Sequence, residues 1–376
     1  MDDIQRDAAP ALTVGKTKLR SLELGRFIAA SMVVFAHLTV AVDNYATRSG
    51  QLIFGGVGRG GALGVAFFFV LSGFVMVSAH YDDFGKRGAV LNFWWRRICR
   101  IYPAYWLALV IPIYYARVAF TPGFGAQLFT LSPWFSSDLN TAAWTLRYEV
   151  AFYIMFGIAL LPRVGKPIFV LWIGLCFWHI LQSREMGALR MPTHVPYPWL
   201  MAHGGGHFFS VFEYFFIAGA AAGFVFVRFA PGWRVSAALL GGGALMLLLC
   251  LPQIDWGSGY GAPHSRVLEY LGWILAAILL GLAGLERSGR LRLGRVSARL
   301  GVLSYPLYIL HTCLITWVWF ALPHPGLSLV EQYLAFCVMM VFIYGVCALA
   351  AFYFDQPIQR ALRRVGFTRR RSVVSV

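Results

Sequence analysis

The stretch Leu24-Gly25-Arg26-Phe27-Ile28-Ala29-Ala30-Ser31-Met32-Val33-Val34-Phe35-Ala36-His37 decides the fold class. Continued to residue 42, it matches the roughly 20 apolar residues that a helix needs to cross a bilayer core. It also carries a guanidinium near one end and an imidazole deep inside. Ionisable groups at membrane depth are costly, so each one is a functional candidate. Arg26 and His37 are eleven residues apart. At 100° per residue that is about 20° beyond three full turns, so both lie on one stripe, about 16 Å apart along the axis.

The rest of the chain agrees with this run. Of 376 residues, 59% are hydrophobic and 13% are charged, and the mean hydropathy is +0.65. Average soluble domains carry about 25% charge. This chain cannot coat a water-facing surface, and the same numbers exclude intrinsic disorder. We expect an all-α polytopic membrane protein of about ten spans, near 24–42, 61–79, 101–120, 145–161, 167–182, 207–227, 235–251, 267–285, 301–321 and 330–354. Three segments follow: an N-terminal piece 1–21, a membrane domain 22–357 and a basic tail 358–376. Residues 1–21 do not read as a cleavable signal, because polar residues fill them and no small-residue cleavage site follows the first apolar run.

The 32 Lys and Arg, of which four are Lys, outnumber 16 Asp and Glu and give a formal charge of +16. In so apolar a chain this points to basic loops against anionic lipid, not to nucleic acid. With the N-terminus inside, alternate loops collect the cations. Lys16, Lys18, Arg20, Lys86, Arg87, Arg96, Arg97, Arg100, Arg163, Lys166, Arg228, Arg234, Arg287–Arg299 and the tail through Arg371 all fall inside. The outside loops hold Arg48, Arg59, Arg184, Arg190 and Arg266. That alternation predicts ten spans with both termini cytoplasmic.

Other intramembrane polar residues form short motifs. Phe67-Phe68-Phe69-Val70-Leu71-Ser72-Gly73-Phe74 places small residues where another backbone or a ligand can approach closely. Arg97 and Arg100 are i, i+3 neighbours whose guanidinium forks can converge on one phosphate, although a positive-inside cluster would look the same. Trp144-Thr145-Leu146-Arg147-Tyr148-Glu149 places a carboxylate among aromatic residues, and Glu149 is the natural partner for His37. Gly301-Val302-Leu303-Ser304-Tyr305-Pro306-Leu307-Tyr308-Ile309-Leu310-His311 adds a second membrane histidine. Glu213 and Glu269 are weaker candidates. His203 and His207 flank a glycine run, and two histidines alone rarely bind metal, so no metal site is assigned. The six cysteines lie mostly in apolar runs without C-x-x-C spacing, so neither a disulfide framework nor a zinc site is expected.

Taken in order, these motifs resemble the acyltransferase-3 family of membrane O-acyltransferases. The likeness runs from about Leu22 to Pro357. It is carried by Arg26 and His37 (Arg-x10-His); Ser72, Gly73 and Phe74; Arg97, Arg100, Ile101, Tyr102 and Pro103; Trp144, Leu146, Glu149, Phe152 and Tyr153; Ser304 to Tyr308 with His311; and Asp355 with Pro357. Thr145 stands where the family usually has Ser. Arg147 is a cation not expected before the glutamate, and it could pair with Glu149 or face a substrate carboxylate. The chain resembles the stand-alone type, which lacks a periplasmic hydrolase-like domain and modifies exopolysaccharide, lipopolysaccharide or nodulation factors.

The resemblance implies an enzyme of the bacterial inner membrane. It would move an acyl group, most simply acetyl, from cytoplasmic acyl-CoA to a hydroxyl of a glycan or glycolipid. Acetyl-CoA is then a co-substrate, and no permanently bound cofactor is expected. Arg26, Arg97 and Arg100 would hold donor phosphates. His37 would be general base or acyl-accepting nucleophile, with Glu149 orienting it. Ser72, Gly73, Tyr102, Trp144, Arg147, Tyr305 and His311 are candidates to line the site. The rival reading is a proton-coupled transporter or flippase of a sugar lipid, which would also use buried His and Glu.

Overall fold

The computed structural model describes residues 13–14, 17–44, 53–54, 60–86, 88–116, 121–134, 139–185, 205–253, 267–321 and 326–365. Arg48, Arg59, Arg190, His203, Gly204, Arg266 and the tail beyond 365 lie outside these, as does most of the N-terminal segment. A two-residue antiparallel pairing of Thr13–Val14 with Thr17–Lys18 precedes the first helix. The helices are α1 (Arg20–Asp43), α2 (Gly61–His80), α3 (Ala89–Ala116), α4 (Pro122–Phe129), α5 (Trp144–Ala159) and α6 (Gly165–Glu185). They continue with α7 (Val211–Phe229), α8 (Trp233–Cys250), α9 (Val267–Arg287), α10 (Arg295–Ala321), α11 (Leu329–Leu349) and α12 (Gln356–Val365).

Ten of these helices stand at the ten expected positions. Among the described residues, eight stretches are long and apolar enough to cross a membrane. The short α5, with 16 residues, falls below that length, and α6 is not among the eight. The protein is an all-α polytopic membrane protein. The third helix corrects the expected 101–120: it begins at Ala89 and runs 28 residues through Pro103 and Pro112. Arg96, Arg97 and Arg100 are therefore turns of a continuous helix, not a loop before one. The tryptophan- and arginine-rich stretch is too polar to read as a span, yet its aromatic face packs inward.

Small residues set the helix approaches, as expected where lipid supplies no hydrophobic drive between helices. A Cβ added at Gly73 would strike the Phe216 carbonyl oxygen of α7, and one at Gly219 would strike the Val70 carbonyl of α2. The two backbones touch, so Gly73 is a packing residue. Similarly, Gly64 of α2 lies against the Ala29 carbonyl of α1. Around this α1–α2–α7 centre, α10 packs on α1 and α9 on α7, and α8 packs on α9 at the periphery. Only 11% of the α8 span window is buried, against 67% for the window on α2.

Charged residues also close helix ends. The Glu286 carboxylate accepts from the Arg20 and Ser21 backbone amides, each at 2.7 Å, and so caps α1 from another helix. Arg287 donates to the carbonyls of Phe226 (2.8 Å) and Pro231 (3.2 Å) at the end of α7. Ser328 and Glu331 form a reciprocal capping box on α11. A π-helical segment, Ala350–Asp355, then joins α11 directly to α12.

Candidate functional site

Six helices line a common cavity with about 760 Å³ of empty space, part of it open to the surroundings; α7 adds Phe216 to the wall. Helical spacing explains the lining. On α5, Thr145, Glu149 and Tyr153 follow one another at four-residue steps and share a face. On α2 the stripe includes Phe68, Ser72 and Val75. On α10 it is Tyr305 and Tyr308, and α1 and α3 contribute Arg26, Arg97 and Arg100. These arginines and Glu149, far apart in sequence, meet in one space.

Glu149 is half-buried. It accepts from the Ser72 hydroxyl at 3.3 Å and from the Tyr153 hydroxyl by a short bond. The Arg97 guanidinium sits over the rings of Phe93 and Tyr153, 5.8 and 5.6 Å from their centroids. Its Nε is buried without a hydrogen-bond partner. Tyr305 donates to the Ile101 carbonyl at 2.7 Å, tying α10 to α3 beside the arginines. At the other end, the Thr145 and Tyr308 hydroxyls bond at 2.6 Å. Phe68 packs edge-on against Tyr308 at 5.3 Å.

His37 does not pair with Glu149. Its partner is His311, whose Nε2 lies 3.1 Å from His37 Nδ1. The rings are 5.0 Å apart between centroids. Each histidine also places Nδ1 on the carbonyl four residues earlier: His37 on Val33 at 3.0 Å and His311 on Leu307 at 3.1 Å. A carbonyl only accepts, so both Nδ1 atoms carry the proton. The lone pair of His311 Nε2 then faces the shared His37 Nδ1–H, and the lone pair of His37 itself sits on Nε2. The His311 ring centroid lies 6.1 Å from that of Tyr308, which links the pair to the cavity wall.

Other candidates serve the scaffold. Arg147 is fully buried and donates to the Ser132 carbonyl at 2.6 Å; it does not line the cavity. Its neighbours in sequence diverge because residues two apart on a helix face different ways. Tyr102 donates to Thr130, Tyr105 to Leu128 and Trp106 to Phe129. These three donors of α3 satisfy the last carbonyls of α4 and the following residue. Trp144 packs edge-on against Tyr148 (5.9 Å) and Phe212 (5.1 Å). The His207 ring packs at a tilt against Tyr148, with centroids 4.6 Å apart. Glu213 is fully buried with both carboxyl oxygens unpartnered.

Sequence reasoning passed over Tyr153, Tyr308 and Thr145 as lining residues, although four-residue spacing from Glu149 picks out two of them. It also missed a second cavity, of about 660 Å³, that shares Arg26, Arg100 and Tyr305 with the first. Its wall also includes Glu23, Asp355, Gln356, Gln359, Arg360 and Arg363. Arg26 reaches Glu23 at 4.0 Å within it.

A family model described as an acyltransferase domain, of the acyltransferase-3 type, matches residues 19–352. The chain belongs to the acyltransferase-3 family. It is a membrane acyltransferase, and the match covers nearly the whole chain as one domain. No curated protein and no solved structure matches it. The acyltransferase-3 match includes Arg26, His37, Ser72, Arg97, Arg100, Glu149, Tyr305 and His311. It ends before Asp355, Arg360 and Arg363.

Proposed function

We propose that this acyltransferase carries an acyl group, most simply acetyl, from a CoA thioester to a hydroxyl of a glycan or glycolipid. The setting is the bacterial inner membrane, with both chain termini cytoplasmic. The reading rests on one observation: a hydrogen-bonded histidine pair lies directly behind Tyr308, which walls an arginine-lined cavity, although neither histidine itself lines that cavity. A CoA thioester brings phosphates at one end and a reactive carbonyl at the other. Arg26, Arg97 and Arg100 match the first requirement, since guanidinium forks bind phosphate bidentately. His37 matches the second.

In the base route, His37 Nε2 takes the proton from the acceptor hydroxyl. The oxygen then attacks the thioester carbonyl, and the CoA thiolate leaves. In the nucleophilic route, Nε2 attacks first and an acyl-histidine passes the group on. Both routes need a positively charged ring, and the His311 Nε2 lone pair accepts from the Nδ1–H of that ring. His311 thus takes the orienting part that the sequence reading gave to Glu149. Glu149 instead holds Ser72 and Tyr153 and offsets charge among the three arginines. General-base help is worth about 10²–10⁴-fold.

Thermal stabilisation of the purified protein by CoA or acetyl-CoA tests the donor. Transfer of labelled acetyl groups to glycan in membranes tests the reaction. An absence of both responses would leave the sugar-lipid transporter as the better reading. Reporter fusions after Thr130 should read outside, and fusions at Ser288 inside.

A further inference from the structure

The second cavity concentrates positive charge that the protein itself only partly neutralises. Arg26, Arg100, Arg360 and Arg363 line it, against Glu23 and Asp355. Among the described residues two ion pairs fall within 4.0 Å, Arg26–Glu23 and His80–Asp83, so Arg100, Arg360 and Arg363 have no carboxylate at that distance. Arg360 and Arg363 donate to neutral amides instead, Gln356 and Gln359, each at 3.1 Å. The Nε atoms of both arginines are buried without a partner. Asp355 accepts from Gln359 at 2.8 Å through one oxygen, while its other oxygen is buried and unpartnered. Half-buried guanidinium groups that repel one another and lack counter-charges cost stability unless an anion joins them.

The geometry holds this cluster in place. The Trp95 indole of α3 donates to the Leu362 carbonyl of α12 at 3.1 Å. The helix that carries Arg97 and Arg100 is therefore fastened to the one that carries Arg360 and Arg363. On α12, Ala361, Arg364 and Val365 are exposed, whereas Arg360 and Arg363 turn to the cavity.

We propose that Arg360 and Arg363 complete a phosphate-binding site in this second cavity, and that the nucleotide phosphates of the CoA donor occupy it while the acyl arm enters the first cavity past Arg26, Arg100 and Tyr305. The proposal rests on the CoA reading above and adds two residues from beyond the family match. A lipid headgroup phosphate has the same chemistry, so the test must separate the two sources.

The experiment measures affinity for CoA, 3′-dephospho-CoA and pantetheine in wild type, Arg360→Gln, Arg363→Gln and Arg363→Lys. It uses detergent without anionic lipid and, separately, phosphatidylglycerol nanodiscs. Each Gln variant should lose about tenfold or more in CoA affinity, and Arg363→Lys should lose less. The loss should shrink for 3′-dephospho-CoA and vanish for pantetheine, because charge and phosphate are removed as a pair. Without ligand, the Gln variants should melt at or above the wild-type temperature, since one of several repelling charges is gone. A lower melting point with unchanged CoA affinity would make the arginines structural and overturn the proposal. So would normal CoA binding together with lost stabilisation by phosphatidylglycerol, which would assign the cluster to lipid. If wild type binds CoA and the variants match it, this inference fails while the proposed function stands. If wild type does not bind CoA, the proposed function itself fails.

Discussion

The two cavities share Arg26, Arg100 and Tyr305, yet their remaining walls differ in kind. The first is enclosed largely by aromatic and aliphatic side chains and holds a carboxylate bonded to two hydroxyls, Ser72 and Tyr153. Close to it stand two neutral-tautomer histidines. The second is walled by guanidinium groups, amides and two carboxylates, where the start of α1 meets α12. One is suited to exclude water from a reacting carbonyl, and the other to hold a polyanion. The comparison teaches that binding and chemistry can be lost separately here.

The sharpest break should come from His37→Ala. On this division it should lower acyl transfer by roughly 10²–10⁴-fold and leave CoA affinity close to wild type. His37→Gln should fail equally, because it keeps a hydrogen bond but cannot take the proton. Normal labelled transfer by His37→Ala would dissolve the distinction. Next are Arg97→Ala and Arg100→Ala. Loss of a charged hydrogen bond costs about 1.5–3 kcal/mol, or roughly 10–150-fold in affinity. Titration at two salt concentrations should show a weaker salt dependence than wild type.

His311→Gln should follow. It keeps a polar group against His37 but changes the acceptor, so turnover should fall while the KM for donor holds. A matched fall in both would instead place His311 with the binding groups. Glu149→Gln should be milder still, about tenfold or less in turnover, because Ser72 and Tyr153 can bond an amide oxygen as well. Finally, Gly219→Ala tests the scaffold that both cavities share. Its Cβ would meet the Val70 carbonyl, and overpacking of this kind costs about 1–3 kcal/mol. The melting point should drop, with little change in the ratio of CoA affinity to turnover.

The bundle was legible because bilayer crossings need long apolar runs, and the runs are there. Arg26 and Arg100 were legible as cavity residues because helical spacing aims them inward. The His37–His311 bond was not, since the partners are 274 residues apart and no local pattern encodes which helices touch. Pairing His37 with Glu149 used the nearest opposite charge, but packing brought α10 there instead of α5. Arg147 misled because a charge beside a carboxylate invites pairing, whereas α5 turns it to a backbone carbonyl. Arg360 and Arg363 were read as part of a lipid-facing tail. Only the fold reveals that α12 packs against α3.

That placement depends on counting. The segment Ala350–Asp355 is wound as a π-helix, whose turn holds more residues than an α turn. Rewinding the same six residues at ordinary α pitch, with none deleted, would rotate everything downstream by about 100°. Arg360 and Arg363 would swing off the cavity together, with every side chain still present. The aim of α12 is thus stored as a phase in the chain. Substitution scanning would pass over it, and a single residue inserted between Asp355 and Arg360 would expose it.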